Sequence, residues 1–283
     1  MRVVVVTDST AHLPEGFAVR HAVRVVPLHV VMDDEVGLDG IDIGPVQLAT
    51  ALSQRRVVTT SRPSPHEFAK VYQDELDAGA SAIVSVHLSR HLSGTWDSAR
   101  LAAEEIGAGK VRVVDSRTTG MGLGFAALRA AAAAASGASP QEVEDAAVDA
   151  AALTKTFFMV ETLEYLRRGG RIGAAAALVG TALAVKPVLH VSEGRIVPLE
   201  KVRTTSRALA RLVDLAADAA GSGRVELAVH HLAAPDRAAE LATRLEERLP
   251  GSAGCVVSEL GAVIGAHTGP GVLGVVILPS ATR

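Results

Sequence analysis

The chain has 283 residues, 48% of them apolar and 21% charged, which is enough to bury a sizeable core and favours two domains over one. A net charge of −3 and an aromatic content of 3% exclude the basic, base-stacking surface of a nucleic-acid-binding protein. A single cysteine, Cys255, excludes a disulfide framework and a thiolate metal site, and in its apolar stretch it reads as core packing.

The opening stretch, MRVVVVTDST, holds too short an apolar run for a signal peptide and predicts a buried strand over 2–7. SPHEFAKVYQDELDAG (64–79) predicts a helix opened by Ser64-Pro65-His66-Glu67, a capping box with proline at the first helical position. A strand over 82–88, a helix over 93–107 and a strand over 111–115 follow. Such alternation implies a mostly parallel α/β sheet. The alanine-rich 126–135 and the SGASP after it predict a helix and a turn, and Ser139-Pro140-Gln141-Glu142 repeats the capping box. Ser64 and Ser139 therefore have structural work and are assigned no chemistry.

A second unit begins near TFFMVETLEYL (156–166). The stretch IGAAAALVGTALAV, between Arg171 and Lys186, is shorter than the roughly 20 residues of a membrane-spanning helix. Residues 186–202 predict a hairpin turning at Ser192-Glu193-Gly194. A helix over 205–220, a strand over 225–232, another helix and a closing strand over 272–279 complete the chain. The expectation is two α/β domains, 1–155 with a mostly parallel sheet and 156–283 with a mixed sheet. No membrane span is expected, and the expected location is the cytoplasm.

Hydroxyl residues gather where strands end or helices begin: TDST (7–10), TTSRPS (59–64), SRHLSGT (89–95) and DSRTTG (115–120). In open parallel sheets ligands bind outside the carboxyl ends of the strands, where such loops converge. Each Ser or Thr could instead simply cap the helix it precedes. Taken together, the four loops suit a carboxylate or phosphate held by hydroxyls and helix N-terminal amides, with no fixed positive charge required.

Sharper motifs fail on context. Gly269-Pro270-Gly271-Val272-Leu273-Gly274 matches G-x-G-x-x-G but leaves no room for a crossover helix and a following strand. No Walker A sequence is present. His87 and His91 straddle a strand end, and His230 and His231 on one strand face opposite ways, so neither pair makes a good metal site. No metal ligand and no catalytic residue is assigned. An esterase or thioesterase reading remains as an alternative, with Ser93 as nucleophile, His267 as base and the Gly94 and Thr95 amides as oxyanion hole. It lacks the G-x-S-x-G elbow and an evident acidic orienter.

TDSTAHLP, TTSRPSPHEF, HLSGTWDSA, LEYLRRGGRIG, KPVL, KVRT and GAVIGAHTGPGVLG occur in the order found in DegV proteins, which this chain resembles over nearly its whole length. The resemblance implies a two-domain α/β protein holding a long-chain fatty acid in a tunnel between its domains. It also implies a separate ATP-binding fatty acid kinase subunit as partner, no cofactor, and no chemistry by the chain itself. The implied ligand-binding residues are Thr60, Ser61, Ser93, Gly94, Thr95, His267 and Thr268. Arg171 of RRGGRIG and Arg203 of KVRT are the implied basic residues facing the kinase or its phosphate. His267, brought by its glycine-rich turn onto the acid, is expected to stay protonated beside a carboxylate. The small apolar residues of 121–135 and 172–189 could line the tunnel or simply form core helices. One departure stands out: the family's usual TSQPS is TSRPS here, which puts a cation, Arg62, beside the implied site, where it could touch the ligand or face solvent.

Overall fold

A computed structural model describes residues 2–33, 35–178 and 185–280. In chain order the elements are β1 (Val3–Asp8), α1 (Phe17–Arg20), β2 (Val23–Val26), β3 (His29–Met32), β4 (Glu35–Leu38) and α2 (Pro45–Ser53). Next come β5 (Val58–Ser61), α3 (Pro65–Asp77), β6 (Ala82–His87), α4 (Thr95–Ile106), β7 (Val111–Asp115), α5 (Met121–Ala135) and α6 (Pro140–Leu153). The rest is β8 (Lys155–Met159), α7 (Glu164–Arg168), β9 (Lys186–Ser192), β10 (Arg195–Val202), α8 (Thr205–Ala220) and β11 (Val225–His231). The chain closes with α9 (Pro235–Arg248), β12 (Ser252–Glu259), α10 (Ala262–Thr268) and β13 (Leu273–Pro279).

The chain is an α/β protein of two compact units, one made of residues 1–29 and 60–152, the other of 30–59 and 153–283. In the first, four parallel strands lie in the order β2-β1-β6-β7. Every residue of β1 and β6 is buried, which is why both read as continuous apolar runs without alternation. Phe68 and Tyr72 of α3 pack with Val4, Val6 and Ile83 into one core of this unit. Both predicted capping boxes form: Ser64 Oγ accepts the Glu67 N–H at 3.3 Å while Glu67 accepts the Ser64 N–H at 2.8 Å. Ser139 and Glu142 repeat the exchange at 3.3 and 2.7 Å.

The second unit carries a mixed six-stranded sheet, β10-β9-β8-β13-β11-β12, in which only β11 and β12 run parallel. Its core joins Met159, Leu212, Leu227, Leu241 and Val275. The β9–β10 hairpin turns on Glu193 (φ 47°) and Gly194 (φ 75°). Two successive positive φ values twist the chain as paired strands require. Strand β12 was not predicted from the sequence. It carries Ser, Gly and Cys, is largely part-exposed, and lies at the sheet edge, so no buried apolar run announces it.

The sequence reading drew one boundary near residue 155, whereas the segment 30–59 folds with the C-terminal half. Two interactions explain why. The buried Asp39 accepts the backbone N–H groups of Ala262 (2.7 Å) and Val263 (3.3 Å) with one carboxylate oxygen, satisfying the start of α10. Leu48 of α2, fully buried, packs so close to Gly265 that a Cβ there would lie 2.4 Å from its Cδ2. The segment also supplies strands of a third sheet, β4-β3-β5. No described helix is long and apolar enough to cross a membrane.

Candidate functional site

In the first unit, the parallel register Val6↔Ser85 sets Asp8 at the end of β1 level with His87 at the end of β6. Asp8 Oδ2 lies 3.0 Å from His87 Nδ1 and accepts the Leu88 N–H at 3.1 Å. Its Oδ1 accepts both the backbone N–H (3.1 Å) and the hydroxyl (2.5 Å) of Thr10. With Nδ1 donating to Asp8, His87 Nε2 accepts from Ser85 Oγ (2.7 Å), which accepts in turn from the Tyr72 hydroxyl (2.8 Å). All five residues are completely buried, and burial pushes the Tyr72 phenol above its ordinary range. This is a Ser–His–Asp chain, yet no substrate can reach it. Closed off and saturated with hydrogen bonds, it locks the strand ends together. The sequence reading passed it over. The signal was present as two parallel apolar strands, each ending in a titratable residue.

The hydroxyl cluster lies one loop further on. Gly94 precedes α4, and Ser93 Oγ lies 2.9 Å from Thr95 Oγ1. Ser93 also donates its backbone N–H to the Ser89 carbonyl at 3.1 Å. Thr95 is buried, Ser93 part-buried, and Thr60 and Ser61 end strand β5. Arg62 comes to this cluster: a Cβ on Gly94 would lie 1.9 Å from its Nη1 and 2.9 Å from its Cδ. The guanidinium therefore rests on the Gly94 backbone, a place open only because that residue has no side chain. The sequence reading needed no fixed charge at these hydroxyls, and the fold supplies one.

In the second unit, His267 stands in the last turn of α10, so its imidazole is carried by a helix and not by the glycine turn itself. The turn's glycines make room for neighbours. A Cβ on Gly269 (φ 75°) would lie 2.2 Å from the Tyr165 ring, and one on Gly271 (φ 83°) 2.6 Å from Glu161. His267 lies against the RRGGR segment. A Cβ on Gly169 would fall 1.9 Å from its Nδ1. Gly170 (φ 70°) ends α7 in a Schellman motif, with Arg171 N–H donating to Leu166 O at 3.0 Å and Gly170 N–H to Arg167 O at 3.1 Å. The turn directs Arg171 back so that its guanidinium donates to Gly169 O at 2.6 Å, beside His267. Burial, and then the Arg171 charge, push the His267 imidazole down to about 4. Burial and the neighbouring cation both favour the neutral imidazole, and a carboxylate beside the ring would act against them. Thr268 spends its hydroxyl on Ile264 O at 3.1 Å, a helix back-bond. Arg203 is exposed, just ahead of the Thr204 cap of α8.

Other candidates resolve into structure. His230 is bonded to Ser258 (2.9 Å) and His231 lies 3.8 Å from Glu259, while the Cys255 thiol is pushed up to about 12, chiefly by burial. Among the described residues no group of three or more His, Cys, Asp or Glu could hold a metal ion. On α5, Met121, Leu123, Phe125 and Ala127 are buried, whereas 179–184, within the other stretch read as a tunnel lining, lie outside the described residues.

The family described as "Uncharacterised protein, DegV family" matches residues 2–280. The chain belongs to the DegV family. A DegV domain-containing protein of Streptomyces coelicolor is 57% identical over 275 residues, covering 97% of this chain and 98% of that one. Among solved structures, a DegV family protein from Thermus thermophilus, described as binding fatty acid, superposes with a TM-score of 0.93 at 37% identity, covering 99% and 100% of the two chains. Bacillus subtilis DegV, described as a fatty acid binding protein, has a TM-score of 0.89 at 33% identity, again covering 99% and 100%. The two α/β domains expected from the sequence are the DegV architecture.

Proposed function

We propose that this chain is a carrier that binds a long-chain fatty acid and performs no chemistry itself. The residues proposed to serve the acid are Thr60, Ser61, Ser93, Gly94 and Thr95 in the first unit and His267 and Thr268 in the second. The observation that carries the reading is the full-length likeness to the fatty-acid-binding DegV protein of Thermus thermophilus. Physical chemistry agrees with it. Each methylene removed from water contributes about 0.8 kcal/mol, so a tail of roughly 15 methylenes contributes a gross ~12 kcal/mol. Hydrogen bonds to a charged head add about 1.5–3 kcal/mol each. The tail would supply affinity and the hydroxyl cluster would set which end is held.

The finer part of the proposal is that the bound carboxylate is presented to a separate ATP-binding kinase subunit, which transfers a phosphoryl group to it and forms the acyl phosphate. Arg171 and Arg203 are the residues proposed to face that subunit or its phosphate. This part rests on the DegV resemblance of RRGGRIG and KVRT.

Mass spectrometry of an organic extract from the purified, denatured protein tests the carrier reading. Near-equimolar long-chain fatty acid is the expected result. An empty extract, together with no uptake of added fatty acid and turnover of p-nitrophenyl esters that Ser93→Ala abolishes, would replace it with the esterase. A fatty acid kinase subunit mixed with the loaded protein and ATP should yield acyl phosphate, and no yield would remove the kinase partnership alone.

A further inference from the structure

We propose that Arg62 is the specificity-determining cation of the head-group site, selecting carboxylate ligands over neutral lipids of the same chain length; this rests on the fatty-acid reading above. The guanidinium lies on the Gly94 backbone, with Nη1 where a Cβ would stand. Gly94 lies in sequence between Ser93 and Thr95, the two residues whose hydroxyls bond each other. Among the described residues no carboxylate pairs with it. The nearest acid in sequence, Glu67, is engaged by Ser64 and His29. An arginine stays charged at every physiological pH, and its planar fork matches the two oxygens of a carboxylate.

Arg62 supplies what the other proposed head-group residues lack. Thr60, Ser61, Ser93, Gly94 and Thr95 carry no charge, and burial and Arg171 push the His267 imidazole down. Neutral donors alone would serve an alcohol or ester head nearly as well as a carboxylate, because each offers oxygen acceptors. A carboxylate gives up a strong hydration shell on binding, and a charged donor compensates that loss selectively. The ratio of acid affinity to alcohol affinity therefore reports the cation directly, with the tail cancelling out.

The test is titration of the full chain, stripped of lipid, with myristate and with myristyl alcohol at fixed neutral pH. Arg62→Gln should weaken myristate binding roughly tenfold and alcohol binding by less than about twofold. Arg62→Lys should recover part of the acid preference, and added salt should weaken myristate binding to the wild type more than to Arg62→Gln. Equal losses for both ligands would show that Arg62 only supports the loop, and unchanged affinity for both would show that it is a solvated side chain; either overturns the proposal. If the wild type takes up neither ligand, the fatty-acid reading fails and this inference goes with it. Uptake with an unchanged ratio removes Arg62 alone.

Discussion

His87 and His267 each stand near the end of a regular element, one in each unit, and their surroundings are opposite. His87 ends a fully buried strand with both ring nitrogens engaged, one by Asp8 and one by Ser85. His267 ends a short helix, keeps part of its surface accessible, and faces a cation and a backbone in place of a carboxylate. Burial with a complete set of partners makes a histidine a structural pin. Burial beside an arginine instead pushes a histidine toward its neutral form. The difference also shows why a Ser–His–Asp chain is poor grounds for hydrolase activity when no solvent reaches it.

The largest expected effect is on the pin. His87→Ala would leave Asp8 and Ser85 buried without their shared partner, and should cost about 3–5 kcal/mol of stability in urea unfolding. A loss under about 1 kcal/mol would mean that the relay does not hold the strand ends. His267→Gln at neutral pH should cost far less.

Acid should then separate the two regions further. His267 has a folded-state pKa of about 4, against 6.5 when unfolded, so below pH 6.5 the unfolded chain binds the extra proton first. Stability should fall as pH drops from 6.5 to about 4 and level off below, with His267 accounting for up to about 3 kcal/mol. His267→Gln should flatten that portion of the curve, and an unaltered slope would assign it to other groups. In the wild type, NMR titration should place the ring's midpoint near 4, and a carboxylate bound beside it should raise that midpoint.

Gly169→Ala is a smaller probe. Its φ of −74° suits any residue, so the substitution acts through the methyl that would meet His267 Nδ1 at 1.9 Å. Ring displacement at about 1–2 kcal/mol is expected, visible as a shifted His267 titration in a folded protein. The smallest effect should come from Tyr72→Phe, which deletes the outermost link of the relay while His87 still holds Ser85. About 1 kcal/mol is expected by thermal or urea unfolding, with ligand uptake unchanged.

The sequence by itself determined the elements and their kind. The strands β1, β6 and β7, the α3 capping box, the β9–β10 hairpin and helix α8 are written in local patterns of two to sixteen residues, where periodicity and turn chemistry act. The DegV motifs likewise marked Ser93, Gly94 and His267 before any fold was known. Only the tertiary structure decided the rest, because it turns on contacts between residues far apart in the chain. It took 30–59 into the second unit through Asp39 and Leu48, more than 200 residues from their partners on α10. It joined Asp8 to His87 across 79 residues, laid Arg62 on Gly94, and pushed His267 toward its neutral form by setting it against Gly169 and Arg171. Burial and the charge of a distant neighbour fix protonation, and no local window of sequence contains either.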